Sequence, residues 1–225
     1  METIAVVSGG IDSVTLAYMI KEETEGALVI LTFNYGQRHY DREALCAFKC
    51  AQKLGAEFHN VDIANLRPLL SGSALTDEIP VPNGHYADEN MRVTVVPNRN
   101  AIFLSVAYGL AVSRQADCVA IGVHAGDHPI YPDCRPQFIQ AFQEMERLAT
   151  EGHRKETLYL YAPFVWLTKA DIVRLGHGLG VPYDQTWSCY KGGDVHCGTC
   201  GTCVERREAF ELAGVPDPTE YASTG

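Results

Sequence analysis

Two groups of residues carry enough chemistry in their types and spacing to narrow the function. The first is Ser8-Gly9-Gly10-Ile11-Asp12-Ser13, which follows the apolar, β-branched run Thr3–Val7 and precedes helically spaced Leu16, Ala17, Met19 and Ile20. Glycine admits positive φ and lets backbone N–H groups approach a ligand. The N-terminus of the following helix adds unpaired donors and partial positive charge. The hydroxyls of Ser8 and Ser13 can donate to phosphate oxygens, and Asp12 can hold magnesium. Such a loop is a pyrophosphate cradle. No Gly-Lys pair occurs in the chain, so a Walker-type loop acting at a γ-phosphate is not expected. The competing explanation, a Ser/Gly turn that only caps a helix, accounts less well for its place directly after the first strand.

The second group is Cys189-x7-Cys197-x2-Cys200-x2-Cys203, with Gly198 and Gly201 permitting tight turns between the thiols. Four thiolates match a closed, tetrahedral, structural zinc site. An iron–sulfur cluster is the rival, because Cys-x2-Cys-x2-Cys also holds such clusters, but no Cys-Pro follows here. His196 is read as lying outside the ligand set. The other cysteines, Cys46, Cys50, Cys118 and Cys134, are dispersed, and Cys46 and Cys50 fall one helical turn apart as packing residues do. This grouping favours a metal over a disulfide scaffold.

A third, looser group surrounds these. After the strand ending near Val123 comes His124-Ala-Gly-Asp127-His128-Pro-Ile-Tyr131-Pro-Asp133-Cys-Arg135, a loop able to recognise a polar heterocycle. Asp133, or failing it Asp127, can accept from a guanine-like amidine edge, and Arg135 can pair with a carboxylate. A prolyl turn satisfying its own backbone is the alternative. Arg99, at a helix start capped by Asn98, is free to face phosphate or substrate, and Lys169, at another helix start, can counter charge on a leaving pyrophosphate. Both can equally be solvated charges. Arg38 and His39, after the second strand, are weaker candidates for nucleotide contact.

The elements that must position these groups alternate along the chain. Strands are expected at 3–7, 27–34, 57–63, 118–123 and 157–162, and helices from residue 14, then at 42–54, 98–114, 136–150, 168–179 and 204–213. The 98–114 helix is expected to bury Ile102, Val106 and Leu110. Residues 65–97, with Pro68, Pro80, Pro82 and Gly84, show little periodicity and suit a lid or functional loop. Repeated β–α units imply an α/β fold with a doubly wound, mainly parallel sheet, whose ligands bind beyond the strand carboxyl ends. Its 225 residues, 46% of them hydrophobic, suit a nucleotide-binding domain over 1–185 with a metal-binding segment, 186–225, packed on it. The net charge of −10 argues against duplex binding and for a small-molecule substrate, with no nucleic acid partner. No apolar run has membrane-spanning length and the N-terminus lacks signal-peptide design, so a cytoplasmic location is expected.

Ser8-Gly-Gly-Ile-Asp-Ser13 resembles the PP-loop of the ATP pyrophosphatase superfamily, which implies attack at the α-phosphate of ATP and release of pyrophosphate. Together with Asn34-Tyr-Gly-Gln-Arg-His39, Pro97-Asn-Arg-Asn100, Tyr131-Pro-Asp-Cys-Arg135 and the cysteine run, nearly the whole chain resembles the 7-cyano-7-deazaguanine synthase family of the queuosine pathway. The resemblance implies that ATP, with magnesium, and ammonia convert 7-carboxy-7-deazaguanine to the nitrile through an adenylated carboxylate and then an adenylated amide. It further implies an adenine nucleotide alpha hydrolase-like fold, one zinc per chain on Cys189, Cys197, Cys200 and Cys203, and a homodimer. ATP would be bracketed by Ser8, Gly9, Gly10, Ile11, Asp12, Ser13, Val14, Thr15, Leu16, Ala17 and Tyr18, with Ser8, Asp12, Ser13 and Lys169 catalytic. The deazaguanine would lie against Arg99, His124, Asp127, His128, Tyr131, Asp133 and Arg135. Many members carry an acidic-Thr-Asp-aromatic run where this chain has Ala125-Gly126-Asp127-His128. The chain begins Met1-Glu2 and offers no N-terminal cysteine for a glutaminase, so free ammonia is the expected nitrogen source. A tRNA-thiolating PP-loop enzyme and a non-catalytic nucleotide-binding zinc module are the competing readings.

Overall fold

The computed structural model describes residues 1–86 and 89–222. Five strands, β1 (Glu2–Val6), β2 (Ala27–Asn34), β3 (Glu57–Asp62), β4 (Cys118–Ile121) and β5 (Tyr159–Tyr161), form one sheet in the order β3-β2-β1-β4-β5. Every neighbouring pair is parallel, with Val6 opposite Leu31 on one side and Ile121 on the other. Six α-helices connect and cover the strands: α1 (Ile11–Glu23), α2 (Tyr40–Leu54), α3 (Arg99–Arg114), α4 (Pro136–Ala149), α5 (Lys169–Gly178) and α6 (Gly201–Ala213). The chain leaves β1 for β2 on one side and returns later to β4 on the other. The carboxyl ends of β1 and β4 therefore flank the switch-point crevice where such sheets bind ligands.

Alternation along β1 sends Ile4 and Val6 into one core, with Val29, Leu31, Phe103, Leu104 and Ala107, and Ala5 and Val7 into another, with Ile30, Leu16, Ala17, Ile172 and Phe210. Each fully buried side chain of this size contributes about 1.5–3 kcal/mol. A third, smaller core joins Ala74, Val81 and Trp187 to Cys189, Cys200 and Cys203. Among the described residues no helix is long and apolar enough to cross a membrane.

α1 starts at Ile11, within the glycine loop rather than after it. The 65–97 stretch is more ordered than a lid. It contains 3-10 turns at Ala64–Leu69 and Glu89–Thr94, and Ser73, Leu75 and Met91 are fully buried. α3 buries Phe103, Leu104, Ala107, Tyr108 and Ala111, while Val106 stays 37% exposed. The helix carries no charge between Arg99 and Arg114, so hydropathy alone cannot tell its two apolar faces apart. Asn98 does not cap α3 with its side chain; it sits at φ 60°, and Asp133 Oδ2 instead accepts from the Asn100 N–H at 2.9 Å. α6 begins at Gly201, three residues before the expected start, because Cys200 occupies its N-cap inside the cysteine cluster.

Candidate active site

The turn from β1 into α1 is tight for a steric reason. Gly9 has φ 87°, and a Cβ there would lie 2.4 Å from the Glu43 carbonyl oxygen on α2. The same close approach recurs across the crevice, where a Cβ on Gly122 would meet the Asp12 backbone at 3.2 Å. The two hydroxyls expected to meet phosphate lie together, Ser8 Oγ to Ser13 Oγ at 3.2 Å, with Ser13 Oγ donating to the Gly10 carbonyl. Ser8, Gly10, Ile11, Asp12 and Ser13 line a cavity of about 180 Å³.

A charged floor lies beside this loop. At the start of the helix expected over 168–179, Thr168 and Asp171 form a capping box, with Thr168 Oγ1 accepting from the Asp171 N–H and Asp171 Oδ2 from the Thr168 N–H, which makes Lys169 the first residue of α5. Lys169 Nζ lies 3.4 Å from Asp12 Oδ2 and 2.5 Å from Glu205 Oε2 on α6. Burial opposes its charge, but Asp12, Glu205 and Asp127 hold the ammonium well above the ordinary lysine value. His124, 1% exposed, accepts the Gly126 N–H at Nδ1, which turns Nε2 toward the acidic side chains. That Nε2 faces Asp127 Oδ1 at 3.5 Å and Asp12 Oδ2 at 3.8 Å without forming a hydrogen bond. Burial would lift the Asp127 carboxyl, yet His124 and Lys169 keep it below the ordinary aspartate range. Asp12 Oδ1 is buried and unpartnered, as suits an oxygen that awaits a cation or a hydrogen-bond donor.

Of the remaining expected residues, Tyr131, Arg99 and Asp127 line the cavity. Arg99 donates to the Tyr35 hydroxyl at 3.2 Å. Asp133 and Arg135 do not line it: Asp133 holds the start of α3, and the exposed Arg135 donates to the His128 carbonyl. His128 sits edge-on to Trp166, outside the lining. Val14, Thr15, Leu16 and Ala17 point into the core, and Tyr18 packs against it, so only the first turn of α1 reaches the cavity. Arg38 and His39 also miss it; Arg38 turns to the Asp77 and Ile79 carbonyls, and His39 is buried against Tyr190. Cys134 does line the cavity, but burial first, then Asp127 and Asp133, push its thiol well above its ordinary value, which keeps it protonated and unreactive.

The walls are largely residues that sequence reasoning missed. Phe33 and Phe103 stack at 4.2 Å, and Tyr35, Tyr86 and Tyr190 add further aromatic surface, with Gln37 and Glu43 among the polar groups. In a linear reading these aromatics look like core. In the Asn34–His39 motif, Tyr35 and Gln37 face the cavity instead of Arg38 and His39.

One wall comes from the cysteine cluster. Trp187, Ser188, Tyr190 and Thr202 line the cavity and flank Cys189, Cys200 and Cys203 in sequence. The four sulfurs of Cys189, Cys197, Cys200 and Cys203 all lie within 4.8 Å of one another. The Cys197–Cys203 distance of 3.9 Å compares with roughly 3.8 Å for a tetrahedron built on metal–sulfur bonds of about 2.3 Å. Backbone N–H groups of Cys197, Thr199 and Cys200 donate to Cys189 and Cys197 sulfurs at 3.3–3.4 Å, as they do to thiolates. The donor set therefore fits a metal such as zinc. His196 is outside it: its Nε2 accepts the Ser188 N–H, and burial, then Arg206, lower its pKa to about 4.

Comparison with known proteins follows the same lines. The family model described as "Queuosine biosynthesis protein QueC" matches residues 2–214. Relatives named 7-cyano-7-deazaguanine synthase include those of Rhizobium johnstonii (57% identical, covering 98% of this chain and 92% of the relative), Agrobacterium fabrum (58%, with the same coverage) and Brucella anthropi (56%, 98% and 94%). Similar solved structures include an NH3-dependent NAD synthetase from Campylobacter jejuni, 15% identical with TM-score 0.49, covering 82% of this chain and 66% of that one. Likeness at that level carries no functional weight. With residues 2–214 matched and relatives more than half identical along almost its whole length, the chain belongs to the queuosine biosynthesis protein QueC family.

Proposed function

We propose that the protein is an ATP-dependent carbon–nitrogen ligase that converts 7-carboxy-7-deazaguanine and ammonia to 7-cyano-7-deazaguanine, with free ammonia as the nitrogen donor. The observation that carries this reading is the meeting, in one switch-point cavity, of the Ser8–Ser13 loop with Asp12, Lys169 and Asp127 in a chain of this family. Each oxygen of the carboxylate is a poor leaving group, whereas an adenylated oxygen leaves as AMP. The carboxylate attacks the α-phosphate and displaces pyrophosphate, and ammonia then displaces AMP to give the amide. The amide oxygen attacks a second ATP, and loss of AMP and a proton gives the nitrile.

In this scheme the Ser8 and Ser13 hydroxyls and the loop N–H groups hold the pyrophosphate. Lys169 offsets the charge that develops on it. Asp12, with its unpartnered Oδ1, would hold the magnesium that accompanies ATP and neutralises the phosphates. Asp127, ionised and cavity-facing, is the acid suited to accept from the amidine edge of the base, with Arg99 and Tyr131 beside it. Asp133, bound to α3, is less suited. The aromatic walls suit a flat base and exclude water that would hydrolyse the adenylates.

The four-cysteine site would carry one zinc with a structural role, since four thiolates leave no open position for a reacting water. Residues 186–225 would act as a metal-held segment on the 1–185 nucleotide-binding domain, in a cytoplasmic homodimer whose substrate is a small molecule and not a nucleic acid. Following ATP during turnover tests the reading: AMP and pyrophosphate should accumulate with the nitrile, whereas ADP and phosphate would show that the wrong bond has been assigned.

A further inference from the structure

Glu205 belongs to none of the sequence motifs, does not line the cavity and is 13% exposed, yet it makes the shortest contact to Lys169. The residues facing Lys169 come from four directions: Asp12 on α1, Asp127 on the loop after β4, Tyr86 with its ring 5.5 Å from Nζ, and Glu205 on α6. Three carboxylates thus share one ammonium. Without Glu205, the flexible lysine stem would let Nζ settle on Asp12, the nearest remaining carboxylate, and both groups would be lost to an incoming ligand. With Glu205, Nζ is drawn to 2.5 Å on the α6 side and stands 3.4 Å from Asp12, whose Oδ1 remains without a partner.

The loop after β4 packs closely here: a Cβ on Gly126 would meet the His124 ring at 2.7 Å and would also lie 3.3 Å from Glu205 Oε1. At its other end Glu205 is anchored to the cysteine cluster, because α6 is capped by Cys200 and carries Cys203 in its first turn.

We infer that Glu205 is a positioning residue: carried on the helix that starts inside the cysteine cluster, it fixes the Lys169 ammonium beside Asp12 at the height where the leaving pyrophosphate needs it. This rests on the reading that Lys169 meets the charge of that leaving group. It also ties the cysteine cluster to the reaction through a specific side chain rather than through fold stability alone.

The test uses the full-length, metal-loaded enzyme and its variants E205Q, E205D and K169M. Misplacing a reacting group by about an ångström lowers rate roughly 100-fold, so E205Q should lose about 10- to 100-fold in kcat with little change in KM for ATP. Because Glu205 helps hold Lys169 protonated, competitive acetylation read by mass spectrometry on the folded protein should label Lys169 about tenfold faster in E205Q, with metal content unchanged. E205D, which keeps the charge on a shorter stem, should fall between E205Q and wild type in both. If E205Q does not fold or loses metal, E205D must show the same two changes at smaller size. Wild-type kcat in E205Q, or wild-type labelling of Lys169 in a slow E205Q, would overturn the inference. K169M separates the two levels: full activity there defeats the reading of Lys169, whereas an inactive K169M beside a normal E205Q defeats the role of Glu205 alone.

Discussion

Asp127 and Asp133 are two carboxylates of one loop, six residues apart, and their surroundings give them different work. Asp133 Oδ2 receives the Asn100 N–H and fixes the first turn of α3. Asp127 faces the cavity between His124 and the Tyr86 hydroxyl, which donates to its Oδ1 at 3.0 Å. Asp133→Ala is therefore expected to cost about 1 kcal/mol of stability, as loss of a helix cap does, and to leave affinity for the carboxylated base near wild type. Asp127→Asn should retain ATP binding and lose base affinity about 5- to 150-fold, the equivalent of the roughly 1–3 kcal/mol cost of an unsatisfied buried group. Calorimetry on each ligand separately reads both outcomes, and the reverse pattern would exchange the two roles. Ser13→Ala should leave the fold intact and lower kcat/KM by roughly 100-fold, the usual effect of removing one donor to developing charge; a wild-type value would remove Ser13 from the cradle.

Among the elements, α6 joins more of the molecule than its length suggests. Its Arg206 is fully buried and donates to Thr186 Oγ1, Ser188 Oγ, the Tyr183 carbonyl and Asp217 Oδ1. Removing one partner of a buried, hydrogen-bonded ion pair costs about 3–5 kcal/mol, so Arg206→Ala should lower unfolding stability by about that amount, and Arg206→Lys should not restore it, since lysine cannot donate in that fork. Burial lifts the Asp217 carboxyl, but Arg206 together with the hydrogen bonds from the Tyr221 hydroxyl and the Thr219 N–H outweighs it and holds the pKa below the ordinary 3.8. The stability it contributes is thus fully present above pH 3.8 and is lost as pH falls through the lower folded value. Acid unfolding of Arg206→Ala should lack the Arg206 share of that pH dependence. Strands and helices such as Ala27–Asn34 and the capped α5 were legible because their periodicity and caps are local. The buried face of α3 was not, because nothing local distinguishes its two apolar faces. Glu205 was not legible either: its meaning depends on a lysine 36 residues away.

At the scale of the whole molecule, the two motifs that bracket the sequence converge on one cavity, the N-terminal loop forming one side of it and the residues around the cysteine cluster another. Residue type and spacing alone point to a phosphate cradle in the first motif and to a four-thiolate site in the second, whose four sulfurs the fold brings together. Their juxtaposition was not legible, since it comes from the sheet order. Because binding energy of such a metal site is folding energy, stripping the metal or changing Cys200→Ser should loosen Trp187, Ser188 and Tyr190 and abolish base binding before the parallel sheet unfolds. Elemental analysis of the aerobically purified protein should find about one zinc per chain, as four thiolates require; stoichiometric iron would identify a cluster instead. The central claim is that both oxygens of the substrate carboxylate leave on AMP. It is tested most directly by supplying 7-carboxy-7-deazaguanine labelled with oxygen-18 at both carboxylate positions, together with ATP and ammonia. The account predicts an oxygen-free nitrile and, for each one formed, two molecules of AMP bearing a single heavy oxygen each; heavy oxygen in phosphate, or an unlabelled AMP pool beside a finished nitrile, would contradict it.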